Sequence, residues 1–301
     1  MSDPDVRVYE VGPRDGLQNE AAPIPTEAKL RFMNLLADAG LREIEATSFV
    51  SPTAIPQLAD ADALLFGLER RPGVRYPVLV PNARGMDRAE AAGADAVCVF
   101  TAASESFTRA NINMSIAESI DAFRPVLERA RERGWWTRGY VSTAFGCPYQ
   151  GEVGEAAVVG VASELIELGV EELSIGDTIG VAGPADVRRV VGALTASGIA
   201  VERLAMHFHD TRGTALANVT AALEAGVGCF DASTGGTGGC PYAPGAAGNL
   251  ATEDLVYLLD REGLSPGVDL DSVLAAARYI AEALGRPLST KVGQAGGWRV
   301  P

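Results

Sequence analysis

Hydrophobic positions fall into two rhythms that alternate along the whole chain. Short runs rich in Val, Ile, Leu and aromatic residues, bounded by glycine or polar turns, predict eight strands. These are Arg7–Val11, Glu43–Thr47, Arg75–Val80, Ala96–Thr101, Thr137–Thr143, Glu172–Ile175, Arg203–His207 and Cys229–Ala232. Helically spaced stretches lie between them, near Thr26–Ala39, Ile116–Arg133, Glu155–Leu168, Ala185–Ser197 and Thr214–Ala225, with shorter ones near Gln57–Leu68 and Gly85–Ala92. Several of these helices end on glycine, at Gly40, Gly134, Gly169, Gly198 and Gly226, where a left-handed residue closes the last turn. Strict strand–helix alternation predicts an α/β fold closed as a TIM (β/α)8 barrel, in preference to an open doubly wound sheet. Two further helices, Thr252–Arg261 and Asp271–Leu284, form a C-terminal helical addition. No stretch has linker or low-complexity composition, so residues 1–301 are read as a single domain.

Composition narrows the partners. At 47% hydrophobic and 21% charged residues, the 301-residue chain has ordinary globular character and enough length for one barrel with additions. A formal net charge of −14 leaves no basic excess for phosphate backbones, so nucleic acid is not expected as a partner. An anionic ligand would need a local cluster of donors or a bound metal. The amino terminus, MSDPDVRVYEVG, has neither a basic n-region nor an apolar h-region, and no run of 18 apolar residues occurs. No secretory signal and no membrane span are expected. Cys98, Cys147, Cys229 and Cys240 show no C-x-x-C spacing, which argues against a disulfide framework and suits a reducing cytoplasm.

In a barrel of this kind, reactive side chains sit at the carboxyl ends of strands. The first strand runs into Gly12-Pro13-Arg14-Asp15-Gly16, which brings a guanidinium and a carboxylate to the barrel mouth; a plain surface ion pair is the alternative. The seventh strand ends in His207-Phe208-His209, the only two histidines of the chain. Alternate residues of a strand face one side, so both imidazoles can address one point. Together with Asp15 they suit a six-coordinate ion, Mg²⁺ or Mn²⁺. After the eighth strand, Gly235, Gly236, Gly238 and Gly239 predict a mobile loop that lets a ligand approach the backbone, with Cys240 at its tip as a candidate acid or base. Cys98 and Cys229 lie within apolar strands and read as core residues, while Gly146-Cys147-Pro148-Tyr149 echoes the later loop. Neither a G-x-x-x-x-G-K-[ST] loop, nor a G-x-G-x-x-G turn, nor a G-x-S-x-G elbow is present.

Taken together, these segments resemble the 3-hydroxy-3-methylglutaryl-CoA lyase family of metal-dependent barrel lyases. The resemblance spans Glu10 to about Ala295 and rests on Val11–Glu20, Glu45–Pro52, Ser104–Asn113, Gly139–Gly151, Gly176–Gly180, His207–Asn218 and Gly235–Tyr257. The Cys240 loop followed by Gly248-Asn249-Leu250-Ala251-Thr252-Glu253-Asp254 points to the lyase branch, whereas the Arg-Asp-Gly and His-x-His elements are shared with condensing synthases. The resemblance implies metal ligands at Asp15, His207, His209 and Asn249. It implies catalytic roles for Arg14, Cys240, Asp15 and His207, and substrate contacts from Gln18, Glu45, Tyr140, Ser142 and Asp177. It further implies Mg²⁺ or Mn²⁺ as cofactor, an acyl-CoA substrate cleaved to acetyl-CoA and acetoacetate, a homodimer, and a place in leucine degradation and ketone-body formation. A lyase for another branched 3-hydroxy acyl group, or a Claisen-condensing synthase, is the alternative. Departures are peripheral: Ala21 stands where vertebrate members carry lysine, Thr143 replaces a cysteine, Arg212 replaces a tyrosine, and the Gly296–Pro301 tail lacks the cysteine and peroxisomal ending of animal members.

Overall fold

The computed structural model describes residues 5–21, 23–239, 248–288 and 290–297. Its strands are β1 (Arg7–Glu10), β2 (Glu43–Ile44), β3 (Thr47–Ser48), β4 (Val78–Leu79), β5 (Ala96–Ala102), β6 (Trp136–Ser142), β7 (Glu172–Asp177), β8 (Leu204–Phe208) and β9 (Cys229–Ala232). All pair in parallel, in the order β2-β1-β9-β8-β7-β6-β5-β4-β3. The two ends of that order are one extended segment. Glu45 N donates to Glu10 O at 2.8 Å on one side, and Ala46 N donates to Pro77 O at 2.9 Å on the other. The sheet therefore closes on itself as an eight-stranded barrel and leaves no unpaired edge among the described residues. The expected strand Glu43–Thr47 is thus split into two short ladders, because it changes partner halfway.

Neighbouring residues on each strand go to opposite apolar clusters, as the two-residue period requires. Val8, Val97, Val141, Met206 and Phe230 face outward onto helices through Phe32, Leu127, Leu165 and Leu194. Their neighbours Tyr9, Cys98, Tyr140, Ala205 and Cys229 fill the barrel interior. Cys98 and Cys229 are buried there, and the Cys98 thiol lies 3.3 Å from Tyr9 Oη.

The C-terminal addition consists of helices Thr252–Arg261 and Leu270–Leu284 and a short turn of helix, Lys291–Ala295. Helix Glu105–Ile112 has no counterpart in the hydrophobic rhythm, since most of its side chains are polar. It forms because Ser104 Oγ accepts from Phe107 N at its start and Asn113 closes it in the left-handed region at φ 55°. The expected Gln57–Leu68 helix is a 3-10 turn, Pro56–Leu58, followed by helix Ala61–Gly67.

Candidate active site

At the carboxyl end of β1 the chain makes a π-helical turn, Gly12–Gly16. Val11 O accepts from Arg14 N (3.2 Å), Asp15 N (2.8 Å) and Gly16 N (3.1 Å), so three amides converge on one carbonyl. Such wide turns are rare and are frequent at functional sites. Glu10 fastens the turn from below. Its Oε1 accepts from Gly12 N (2.8 Å) and Thr234 N (2.9 Å), and its Oε2 from Thr234 Oγ1 (2.6 Å) and Thr252 Oγ1 (2.7 Å). Burial pushes the Glu10 carboxyl up, against the pull of these donors. Sequence reading had no signal for Glu10 beyond a lone acid in an apolar strand.

Arg14 is buried, and its guanidinium forks between Asp15 Oδ1 at 2.7 Å and Glu45 Oε2 at 2.9 Å. Glu45 is wholly buried, and the same Oε2 accepts from Tyr140 Oη at 2.7 Å. Burial works against the charge on Arg14, but Glu45 and Asp15 outweigh it and hold the guanidinium charged. Burial drives the Glu45 and Tyr140 protons on more firmly than in water. Glu45 and Tyr140 thus form a bracket under Arg14.

Asp15, His207 and His209 offer ligand atoms that all lie within 4.8 Å of one another. The two imidazole centroids are 5.2 Å apart. Asp15 Oδ1 also accepts from Gln18 Nε2 at 3.1 Å, and Oδ2 accepts from Asn249 Nδ2 at 2.8 Å. Burial raises the Asp15 carboxyl, but Arg14, the two imidazoles and the Asn249 amide together bring it below the usual range. Burial and the neighbouring His207 push His209 down to about 4, so its ring is neutral at pH 7. Burial lowers His207 too, but its bond to Asp231 reverses the direction.

These residues fit a divalent cation. Buried polar atoms normally find partners, yet His209 Nδ1 and Asn249 Oδ1 are buried with none among the described residues. A carboxylate oxygen, neutral imidazoles and an amide oxygen are the donor set such an ion takes.

The remaining expected residues are placed less centrally. Asp177 ends β7 with Oδ1 accepting from Val181 N (2.9 Å) and Oδ2 from Ala182 N (3.0 Å), so it shapes the following loop. Ser142 ends β6, and its carbonyl accepts from Ala103 N at 2.9 Å. Cys240 lies outside the described residues; Gly239 before it is tied to the first βα loop through Asn19 Nδ2, 3.3 Å from Gly239 O. Cys147 is buried and its sulfur accepts from Ser104 Oγ at 3.0 Å. Gly235 and Gly238, in the loop before Cys240, are close-packed against the chain's own side chains. A Cβ on Gly238, at φ +97°, would stand 2.6 Å from Asn249 Nδ2 and 3.2 Å from Asp15 O.

Beneath the triad lies a group that sequence reading missed. Asp231, Ser174 and Arg138 are fully buried in the barrel and meet through side chains. Asp231 Oδ1 accepts from Arg138 Nη2 at 2.5 Å, and Oδ2 accepts from Ser174 Oγ at 2.8 Å and lies 3.2 Å from His207 Nδ1. The only trace of this in the sequence is polar residues at inward positions of otherwise apolar strands.

A closed parallel barrel with a carboxylate, two imidazoles and a guanidinium at its carboxyl mouth defines a metal-site barrel enzyme. The chain belongs to the HMGL-like family, whose model matches residues 5–280. It is 51% identical over 290 residues to the Rattus norvegicus protein named hydroxymethylglutaryl-CoA lyase, mitochondrial, covering 96% of this chain and 89% of the relative. A second Rattus norvegicus relative, named 3-hydroxy-3-methylglutaryl-CoA lyase, cytoplasmic, is 48% identical, with 96% and 84% covered. Among solved structures, the HMG-CoA lyase of Bacillus subtilis superposes with a TM-score of 0.95 at 48% identity, covering 98% of this chain and 99% of that one. An HMG-CoA lyase from Acinetobacter baumannii, in complex with coenzyme A and 3-methylmalate, gives 0.92 at 39% identity, with 98% of each chain covered.

Proposed function

We propose that this chain is a carbon–carbon lyase that cleaves 3-hydroxy-3-methylglutaryl-CoA, or a close 3-hydroxy acyl-CoA, to acetyl-CoA and a 3-oxo acid, acetoacetate for the parent substrate. The observation that carries this reading is the convergence of Arg14, Asp15, His207 and His209 at one barrel mouth, in a chain about half identical to proteins of that name. Relatives include one named cytoplasmic, and the cysteine spacing suits a reducing compartment; the reading places a single barrel domain, residues 1–301, in the cytoplasm.

Asp15, His207, His209 and Asn249 would hold the ion, Mg²⁺ or Mn²⁺, which when bound would supply a Lewis acid that lowers the pKa of the substrate's tertiary hydroxyl. The cluster of imidazoles and carboxylates accepts the hydroxyl proton. As the C2–C3 bond breaks, C3–O becomes a carbonyl and the bonding pair passes to C2 as a thioester enolate. Arg14 faces that developing charge. Both of its terminal nitrogens are committed to carboxylates, which fixes the guanidinium plane before reaction, and its buried Nε has no partner among the described residues. Cys240 gives its proton to C2, which completes the acetyl methyl group and leaves a thiolate.

A panel of 3-hydroxy acyl-CoAs with coupled detection of acetyl-CoA tests the reading. Metal-dependent acetyl-CoA release, fastest with the 3-hydroxy-3-methylglutaryl ester, is expected. Release of free CoA from acetyl-CoA and a 2-oxo acid, without any cleavage, would replace the lyase with a condensing synthase.

A further inference from the structure

Barrel interiors of this fold are usually filled by branched aliphatic side chains. Here Arg138 occupies the interior with no exposure, its guanidinium carbon 3.7 Å from the Tyr9 ring centroid and 5.2 Å from that of Tyr140. A buried ion pair is weak support for stability, since desolvation offsets most of the attraction. Its value here lies in what it holds in place.

Four adjacent strands contribute one residue each: Arg138 on β6, Ser174 on β7, His207 on β8 and Asp231 on β9. His207 and Asp231 are direct register partners on β8 and β9. A guanidinium is charged at any ordinary pH, so the carboxylate bonded to it is ionised and can only accept. Asp231 Oδ2 accepts a hydrogen bond from Ser174 Oγ at 2.8 Å and stands 3.2 Å from His207 Nδ1. In the neutral ring Nδ1 must therefore carry the proton, which leaves Nε2 with the lone pair. On the other side of Arg138, Nε is 3.2 Å from Glu172 Oε1, and Glu172 pairs with Arg7, which also bonds Glu43 at 2.9 Å. Charges of alternating sign thus run from the amino end of the barrel up to His207 and resist any rotation of Asp231.

We propose that Asp231, locked by Arg138 and Ser174, is a positioning residue that fixes the tautomer and ring orientation of His207 for metal binding. This rests on His207 being a metal ligand. The two histidines make the test direct, because protein grown with ¹⁵N-histidine shows only His207 and His209. In the Mg²⁺-loaded chain, His207 should show a protonated Nδ1, with His209→Asn supplying the assignment. Asp231→Asn should lower Mn²⁺ affinity, measured calorimetrically, by about 10–100-fold, and should mix the His207 tautomers. Ser174→Ala should give a smaller change in the same direction. A proton on Nε2 of His207 in the unaltered, Mg²⁺-loaded chain overturns the proposal without any variant, whatever the folding of Asp231→Asn. So does unchanged Mn²⁺ affinity in a folded Asp231→Asn. If His207→Ala itself binds Mn²⁺ normally, the ligand assignment fails first.

Discussion

Asp15 and Asn249 are 234 positions apart, yet Asn249 Nδ2 donates to Asp15 Oδ2 at 2.8 Å. That bond joins the first βα loop to the segment after the last strand. It also brings Asn249, whose buried Oδ1 has no partner among the described residues, against the carboxylate that stands with the two imidazoles.

Removing the metal should therefore abolish turnover, and adding Mg²⁺ or Mn²⁺ to the stripped protein should restore it. His209→Ala and Asn249→Ala should each raise the metal concentration needed for half-maximal rate. Full activity in chelator-treated, metal-free protein would sink the site.

Gly238→Ala changes no polar group, yet it should weaken metal binding. The new Cβ would press on Asn249 Nδ2 at 2.6 Å, and the backbone there has φ +97°, a conformation L-residues avoid. Either the loop or Asn249 must shift. The check is a Mn²⁺ titration of the folded variant, and an affinity equal to that of the parent chain contradicts the packing argument.

Arg14→Lys keeps a positive charge but loses the planar fork that spans Asp15 and Glu45. The partner proposed for Arg14 is fully charged only as the bond breaks, so the loss should appear in kcat more than in KM. A fall of about 10²–10³ is expected for a preorganised donor of this type. Tyr140→Phe, which removes only one support of Glu45, should cost less. A raised KM at constant kcat would instead make Arg14 a substrate anchor.

The thiols should separate by role. Cys240→Ser should lose most of kcat while folding is preserved, since a hydroxyl is a far poorer acid than a thiol near neutral pH. Cys98→Ala and Cys229→Ala, both at buried interior positions, should cost stability of about 1–3 kcal/mol and leave the chemical step intact. Steady-state kinetics beside urea unfolding distinguishes them; near-normal turnover in Cys240→Ser removes that residue from the mechanism.

Glu253 links Gly235 N (3.0 Å) to Thr290 Oγ1 (2.8 Å), and burial pushes its carboxyl from 4.5 up to about 7. An unfolded chain releases this proton near 4.5, so between that pH and about 7 the folded state binds more protons. Stability should fall as pH rises through this window, by at most about 3 kcal/mol, and level off above it. Glu253→Gln cannot ionise and should flatten that part of the curve. Unfolding midpoints at pH 5 and pH 8 for both proteins measure the difference; equal slopes would place the carboxylate in a better solvated setting.

Much of the fold follows from local pattern. Two-residue and helical periodicities predict strands and helices because each depends on neighbours a few positions away, and strict alternation of the two leads to a parallel barrel. The pairing of His207 with His209 is equally local, and the nearness of Asp15 follows once the barrel closes. What local pattern does not contain is partnership over distance. Glu10 and Thr252 are 242 positions apart, and Arg138 and Asp231 are 93 apart. Each is only a polar residue in an apolar run until the strands are set side by side. The π-turn at Gly12–Gly16 has the same origin: Glu10 and Thr234 hold it open, and a turn's own sequence does not record what grips it. The tertiary structure likewise decides that Glu45 lies beneath Arg14, because burial, hydrogen-bond partners and the direction of a pKa depend on which strands meet and in what register.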